Sequence, residues 1–381
     1  MINLITTMQI IICAVLMLAA FLCTLAFTPV TCMISRKLGA VDKPDGGRKK
    51  HARPTPRLGG LAMMVGFFVA IGAALLFAGV DARSPQILTM ICGTAAICLI
   101  GIIDDIFNLP AIFKFICQIL IATATAFFGG SITFTTLFGS TIILGNMSIP
   151  ITVVWIVLMI NAMNLLDGLD GLACSVAGIG TFVTAIIAAL MGYYDAAVIA
   201  AILCGAAIGF FPLNSHPAKV FMGDTGSMML GYVVSCLSIF WLMKGVTYLS
   251  ILVPSLIFAF PLIDMISVIF ERTAQGKSIF KADRLHMHYK LLDLGLSYSA
   301  TVTVIDIATV IFGGCAVLML FNPPIALVIA AVVAFFMILI KHAGKFIKPK
   351  KKKEETKEED SYQGEENKNV FVDDKGNVIE R

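Results

Sequence analysis

Long apolar runs recur along almost the whole of this sequence, and they restrict what the chain can fold into more than any other feature. A helix needs roughly 20 mostly apolar residues to cross the hydrocarbon core of a bilayer. Only 14% of the 381 residues are charged and the mean hydropathy is +0.92, whereas a soluble domain carries roughly 25% charged residues. The sequence therefore predicts an all-α polytopic integral membrane protein.

Eleven runs are long and apolar enough to be candidate membrane helices. They lie at 8–30, 59–79, 87–106, 111–129, 150–166, 172–190, 196–213, 226–243, 248–270, 300–321 and 324–341. Segment 131–149 mixes apolar residues with Thr, Ser and Gly, which predicts a short hairpin at the membrane edge. No Lys or Arg precedes Arg36, so the first run lacks the basic region of a cleaved signal peptide and is expected to remain as a helix.

The distribution of basic residues predicts the orientation. If the N-terminus is outside, the loops on the opposite side hold 15 Lys and Arg, and the outer loops hold only Arg83 and Lys244. Basic loops stay in the cytoplasm, so we expect an outside N-terminus and a cytoplasmic C-terminus. Residues 1–343 form the predicted transmembrane domain, and the charged segment 344–381 is expected to be a disordered cytoplasmic tail. The net charge of +4 is spread over loops and tail, which gives no indication of nucleic-acid binding.

Acidic and amide side chains collect at the predicted cytoplasmic ends of the spans. Asp104 and Asp105 end the third span, where a carboxylate pair could bind a divalent cation or remove a proton. Simple termination of the helix by interfacial charge is the alternative. In NAMNLLDGLDGL, the side chains of Asn161, Asn164 and Asp167 are three residues apart, so a continuing helix places them on roughly one face.

Two further cytoplasmic segments carry candidate binding residues. In PLNSHPAKVFMGDTGS, Asn214 and Asp224 lie at either end and the Phe221 ring could stack on a base, although Asp224 could instead cap the next helix. The loop after the ninth span contains His286 and His288 among basic residues that suit phosphate oxygens. The remaining candidates for substrate binding are Arg48 and His51 in the first basic loop, Arg272 and Asp170 in later loops, and Asp264 inside the ninth span.

Carboxylate and amide oxygens are hard ligands that suit Mg²⁺, with Mn²⁺ as a substitute, and Mg²⁺ sites are commonly shared with phosphates. An acidic site surrounded by Lys, Arg and His at the membrane interface favours a phosphoryl reaction between a soluble nucleotide and an anionic lipid. A transporter or flippase is the main alternative, because many spans and intramembrane acids are typical of both classes. Transporters bind near the midplane, often between repeated halves, whereas the polar motifs here lie at one face.

Five motifs in order resemble the polyprenyl-phosphate N-acetylhexosamine-1-phosphate transferases, over about residues 8–341. They are VDKPDGGRKKHARPTPRLGG, GIIDD with Lys114, NAMNLLDGLDGL, NSHPAKVFMGDTGS and the DRLHMH loop. The resemblance implies Mg-dependent transfer of a sugar-1-phosphate from a UDP-sugar to undecaprenyl phosphate, with release of UMP. It also implies a multi-pass protein of the bacterial cytoplasmic (inner) membrane with its active site facing the cytoplasm. The oligomeric state stays open, with a homodimer as one outcome.

The resemblance also implies roles for individual residues. Asp104 and Asp105 match the paired acids of the family, Asp224 matches its principal Mg²⁺ ligand, and Asn164 lies in the matching metal-side motif. In the nucleotide site, the matching positions are Asp167 and Asp170 as acids, Asn214 and Phe221 near the uracil, and Lys114, His286 and His288 near the phosphates. Within this scheme Asp104 is the expected general base, while Asp105 holds geometry or metal.

The sister branch of the family is the phospho-N-acetylmuramoyl-pentapeptide translocase. Tyr289 stands where relatives often have a second adjacent His, so the chain lacks that branch's consecutive His run. The opening VDKP motif resembles the GlcNAc-1-phosphate branch instead. We therefore expect UDP-GlcNAc as donor, with the muramoyl-pentapeptide reaction as the alternative.

Overall fold

The computed structural model describes residues 6–42, 54–137, 140–243, 251–276 and 285–343, together with two short strands in the tail. Those strands, Phe371–Val372 and Val378–Ile379, pair antiparallel. Arg48, His51 and most of the predicted tail lie outside the described residues. The prediction that 344–381 is disordered therefore stays a prediction.

Ten helices in the described part of the chain are long and apolar enough to cross a membrane, which confirms an all-α polytopic membrane protein. The first five are α1 (Thr7–Lys37), α2 (Gly60–Phe77), α3 (Pro85–Phe107), α4 (Ala111–Phe128) and α5 (Ser148–Leu166). The next three are α6 (Leu172–Leu190), α7 (Tyr194–Asn214) and α8 (Gly223–Leu237), the last of which continues as a π-helical turn to Leu242.

The predicted single helix at 248–270 is wrong, because this segment is broken. Residues 248–250 lie outside the described part of the chain, and the rest consists of α9 (Leu252–Ile257) and α10 (Ala259–Ala274), which meet at Phe258 with φ −109° and ψ 31°. Pro261 has no N–H to donate to the Ile257 carbonyl, and its ring disfavours a continuous helix there. A short helix α11 (Met287–Asp293) and the spans α12 (Tyr298–Leu318) and α13 (Pro323–Ala343) complete the bundle.

Two small antiparallel ladders lie at opposite ends of the bundle. The strands β3 (Phe134–Leu137) and β4 (Ser140–Ile143) form the hairpin that the sequence predicted between α4 and α5. The strands β1 (Val41–Asp42) and β2 (Thr55–Pro56) pair at the end where α1 finishes and α2 begins. The β1–β2 ladder lies close to the start of α8, because Phe221 donates its N–H to the carbonyl of Pro56 at 2.8 Å.

Helix α8 is the centre of the bundle. In its most apolar stretch of 18 residues, 94% are buried against other helices, chiefly α2, α3 and α5. The contact with α3 is so close that a Cβ on Gly101 would lie 2.4 Å from the Cα of Thr225. Glycine is therefore needed where the last turns of α3 meet the first turn of α8. This crossing brings the two acids of α3 against Asp224.

The polar ends of α3, α5 and α7 and the polar starts of α4, α6 and α8 all lie at one end of the bundle. The backbone N–H of Asp224 donates to Asp105 Oδ1 at 2.8 Å, so these two motifs share a face. A site shared by a nucleotide and a lipid requires both motifs to lie on the same face. That this face is cytoplasmic remains a prediction from the distribution of basic residues.

Candidate active site

A lysine bridges two of the carboxylates where α3, α4 and α8 meet. The Nζ atom of Lys114 lies 3.0 Å from Asp104 Oδ2 and 2.7 Å from Asp224 Oδ2. The other oxygen of Asp104 accepts the backbone N–H of Leu109 at 2.8 Å, which holds the carboxylate in place at the end of α3. These contacts place the predicted base, the predicted metal ligand and the predicted phosphate-binding lysine in direct contact.

Asp105 caps the start of α8. Its Oδ1 accepts the N–H of Asp224 at 2.8 Å, and its Oδ2 accepts both the N–H and the hydroxyl of Thr225, at 3.1 and 2.7 Å. The first N–H groups of a helix need such an acceptor, and the local N-cap residue, Met222, provides no side-chain hydrogen bond. Gly223 makes the approach feasible, since its φ is +68° and a Cβ there would lie 2.5 Å from Asp105 Oδ1. Asp105 therefore positions Asp224.

We expect Asp105→Asn to lower the free energy of unfolding by about 1–3 kcal/mol, because an amide cannot accept all three of these hydrogen bonds. The change is measured as a lower thermal unfolding midpoint of the detergent-solubilised protein. Asp195→Asn is the matched control, since Asp195 lies in the first turn of α7 at the opposite end of the bundle. An unfolding midpoint equal to that of the wild type would contradict the capping role.

A pocket of about 450 Å³ opens beside this cluster. Its lining residues are Asp42, Arg57, Asn108, Asn164, Asp167, Gly168, Leu169, Asp170, Asn214, Phe221, Gly223 and Asp224. Six of the predicted substrate or metal residues are among them. Asp224 belongs to both the pocket and the carboxylate cluster, so a ligand in the pocket would lie next to the Lys114 bridge.

Two pocket residues, Asn164 and Asp167, lie at the end of α5. The Nδ2 of Asn164 donates to the hydroxyl of Ser227 at 2.9 Å, which fixes the amide next to the first turn of α8. Asp167 follows the last turn of α5. Burial raises the pKa of Asp167 well above its usual range, and the carboxylates of Asp224 and Asp105 raise it further. The neighbouring carboxylates thus disfavour a further negative charge at Asp167.

Asp170 and Asn214 hold the loops around the pocket together. Asp170 Oδ2 accepts the backbone N–H of Ala218 at 3.0 Å and lies 2.9 Å from Nδ1 of His216. Asn214 is 2% exposed, accepts the N–H of Gly171 at 3.1 Å and donates to the carbonyl of Val220 at 2.9 Å. Both side chains therefore support the shape of the pocket in addition to lining it.

The histidine segment lies against the same pocket. His286 Nδ1 is 2.8 Å from Asp264 Oδ2, and the ring of His286 stacks on that of His288 with centroids 5.6 Å apart and planes at 9°. A Cβ on Gly168 would lie 2.6 Å from His288 Nε2, so the buried His288 ring touches the wall of the pocket. The DGLDG and HMH motifs are thereby brought together.

Comparisons with known proteins show the family to which the chain belongs. Residues 87–242 match the family described as "Glycosyl transferase family 4". A Bacillus subtilis protein named "Probable undecaprenyl-phosphate N-acetylglucosaminyl 1-phosphate transferase" is 36% identical over 304 residues, covering 79% of this chain and 83% of the relative. The chain belongs to the polyprenyl-phosphate N-acetylhexosamine-1-phosphate transferase family.

Other relatives come from both branches of this transferase family. The Mycobacterium tuberculosis decaprenyl-phosphate N-acetylglucosaminephosphotransferase is 35% identical over 344 residues, with 80% of this chain and 82% of the relative covered. A Clostridium botulinum phospho-N-acetylmuramoyl-pentapeptide-transferase is 33% identical over 285 residues, with coverage of 71% and 83%. This chain is therefore a multi-pass membrane enzyme that transfers a phosphate-linked group, which decides against the transporter alternative.

Three predicted substrate residues of this transferase lie away from the pocket lining: Asn161, Asp264 and Arg272. Asn161 donates to Gln118 Oε1 at 2.7 Å and to the carbonyl of Val157 at 2.8 Å, and so joins α5 to α4. Arg272 is buried in the last turn of α10. Helical spacing placed Asn161 on roughly the same face as Asn164, but Asn161 lies one turn deeper, where its amide donates to the neighbouring helix α4 and to its own helix.

The pocket also contains residues outside the predicted set. Arg57 donates from Nη1 to Asn108 Oδ1 at 2.9 Å, and both line the pocket with Asp42. Arg57 is one of several basic residues in its loop, and the sequence alone does not show that the chain after the β1–β2 pair brings Arg57 to the pocket. The sequence contained only a weak indication that Asn108 ends α3, namely that Asn tolerates the left-handed conformation (φ 53°) found there.

We expect Gly168→Ala to lower the turnover of this transferase by about 10- to 100-fold, because the new methyl group must displace the His288 ring or the pocket wall. Steady-state transfer assays measure the effect. Gly72→Ala is the matched control, since a Cβ at that position in α2 meets nothing within 4 Å. Wild-type turnover in Gly168→Ala would show that the contact between these motifs is unimportant.

Proposed function

We propose that this enzyme transfers N-acetylglucosamine-1-phosphate from UDP-GlcNAc to undecaprenyl phosphate and releases UMP. The reaction is Mg-dependent and takes place at the cytoplasmic face of a bacterial inner membrane, as the first membrane step of an envelope polymer. One observation carries this proposal: the Asp104–Lys114–Asp224 bridge adjoins a polar pocket at one end of the membrane bundle. A soluble nucleotide and a lipid phosphate can meet at that depth.

The residues present fit a divalent cation. Oxygens of Asp104, Asp105 and Asp224 lie within 4.8 Å of one another, and the single ammonium group of Lys114 leaves this cluster with excess negative charge. Buried carboxylates that close together need a compensating cation. Because Asp105 is engaged in capping and Asp104 is the expected base, we assign the metal to Asp224 with the amide oxygen of Asn164. When bound, Mg²⁺ would neutralise the pyrophosphate of the donor.

The side chains around this cluster would perform the positioning that phosphoryl transfer depends on. Asp104 is held between Lys114 and the N–H of Leu109, where it can orient the attacking lipid phosphate or take its proton. Lys114 presents a positive charge to the phosphates, and the Phe221 ring offers a stacking surface for uracil at the pocket wall. His288 lies against Gly168 in the pocket wall, and His286 stacks on His288 behind it, so that the pair would border the pyrophosphate of a bound donor.

Similarity to the relatives supports GlcNAc over the muramoyl-pentapeptide. The Bacillus subtilis relative is 36% identical over 79% of this chain, compared with 33% over 71% for the Clostridium botulinum one. Tyr289 also interrupts the His run typical of the muramoyl branch. The pocket is about 450 Å³, which suits a nucleotide sugar, and a pentapeptide would have to extend beyond it.

The deciding experiment uses purified protein, undecaprenyl phosphate and a panel of UDP-sugars, with and without Mg²⁺, scored by UMP release and by mass of the lipid product. We expect UDP-GlcNAc to give the highest kcat/KM and EDTA to abolish turnover. Preferred use of UDP-MurNAc-pentapeptide would assign the enzyme to the sister branch. Turnover that persists in EDTA would contradict the metal assignment.

A further inference from the structure

The carboxylate of Asp264 is directed entirely at the histidine segment. Its Oδ2 lies 2.8 Å from His286 Nδ1, and its Oδ1 accepts the backbone N–H of Met287 at 2.7 Å. Asp264 and His286 are each 4% exposed, so both contacts are shielded from water. Both oxygens of Asp264 contact the protein and the residue does not line the pocket, which is contrary to the substrate contact predicted from its intramembrane position.

This geometry determines which ring nitrogen of His286 carries the hydrogen. An ionised carboxylate only accepts hydrogen bonds, so Nδ1 must donate and Nε2 is directed away from Asp264. The second bond, from Met287, caps the first turn of α11. One carboxylate therefore sets both the orientation of the His286 ring and the start of the helix that carries His288.

The effect extends to the pocket through ring packing. The His286 ring stacks almost parallel on His288, whose Nε2 edge lies against Gly168 in the pocket wall. Asp264 lies six residues beyond the break at Phe258, so the direction of α10 after this break determines where the carboxylate is held. A chain of contacts thus runs from the broken span to the wall of the active site.

We propose that Asp264 is a positioning residue for sugar-phosphate transfer: it holds His286 in one tautomer and orientation, and through it holds His288 against Gly168. The inference rests on the family reaction, and only the choice of UDP-GlcNAc as assay substrate rests on the proposed function. Asp264→Asn tests it with nearly unchanged shape. The amide can either accept from Met287 and donate to His286, which reverses the tautomer, or lose one of the two bonds.

We expect Asp264→Asn to lower kcat by about 10- to 100-fold, the usual effect of removing a carboxylate that orients a functional histidine. KM for the nucleotide sugar should stay near the wild-type value, because Asp264 does not line the pocket. Asp306→Asn is the matched control: Asp306 is an acid on the neighbouring helix α12 that accepts from the hydroxyl of Ser175 at 2.7 Å. An equal fall in kcat in both variants, or a rise in KM alone, would overturn the proposal.

A double-mutant cycle separates positioning from stability. If Asp264 acts through His286, the Asp264→Asn change should cost little further turnover in a His286→Ala background. Fully additive losses would show that Asp264 acts elsewhere. Thermal unfolding of each variant identifies losses caused by misfolding, and the comparison is then made on the folded fraction.

A spectroscopic readout is independent of the donor. The chain has 5 histidines, so the imidazole ¹⁵N signals of His286 can be assigned by comparison with His286→Ala. The wild type should show a protonated Nδ1, and Asp264→Asn should change this signal while Asp306→Asn should not. If wild-type enzyme does not use UDP-GlcNAc, the proposed donor fails, whereas unchanged ¹⁵N signals in Asp264→Asn would reject the positioning role itself.

Discussion

The Asp224→Ala enzyme is expected to lose sugar-phosphate transfer by about 10³-fold or more, because the change removes the carboxylate that joins the pocket to the cluster. Asp224 contacts Lys114 at 2.7 Å and begins the most buried helix of the bundle. Its loss would leave Lys114 paired with Asp104 alone, reduce the negative charge that attracts Mg²⁺ and shift the pocket wall. The measurement is UMP release as a function of Mg²⁺ concentration.

The control for this prediction is Asp195→Ala, which removes an acid from the first turn of α7 at the opposite end of the bundle. It should keep the wild-type response to Mg²⁺. Circular dichroism and thermal unfolding of both variants test whether the helices remain formed. Wild-type turnover and an unchanged Mg²⁺ response in Asp224→Ala would refute its assignment as a metal ligand.

The second large effect is expected for Asp104→Asn, which should lower turnover by about 10²- to 10⁴-fold, the usual contribution of a general base. The substitution keeps the size of the side chain and an oxygen that can accept the N–H of Leu109. It removes the negative charge beside Lys114, which would no longer be held between two carboxylates. Single-turnover assays at saturating donor measure the chemical step.

The affinity for the donor distinguishes the expected effect of Asp104→Asn from that of Asp224→Ala. Asp104 does not line the pocket, so the dissociation constant for UDP-GlcNAc, measured by calorimetry, should stay close to the wild-type value. Asp105→Asn is the informative neighbour: its main expected effect is on unfolding, because Asp105 caps α8. Full turnover in Asp104→Asn would reject its role as base, and a lost affinity would make it a binding residue.

The sequence was sufficient to predict the membrane architecture. Ten of the eleven predicted spans are helices, nine of them within three residues of the predicted bounds, while α1 continues seven residues beyond its predicted end to Lys37. The hairpin between α4 and α5 is present. The free energy of transferring an apolar side chain into lipid depends mostly on that side chain alone. A run of about 20 apolar residues is therefore enough to predict a membrane helix. The ninth span failed because Phe258 and Pro261 break the helix, and hydropathy does not detect a break in an apolar run.

The sequence also determined which residues could take part in chemistry, because acids and amides in apolar surroundings have few structural reasons to occur. Only the tertiary structure decided what each of them does. Asp104 and Asp105 are adjacent in the chain, yet one contacts Lys114 and the other caps α8. Asp264 contacts His286 across 22 residues of sequence. Hydrogen-bond partners are set by which helix ends meet in space, and that depends on packing over the whole bundle.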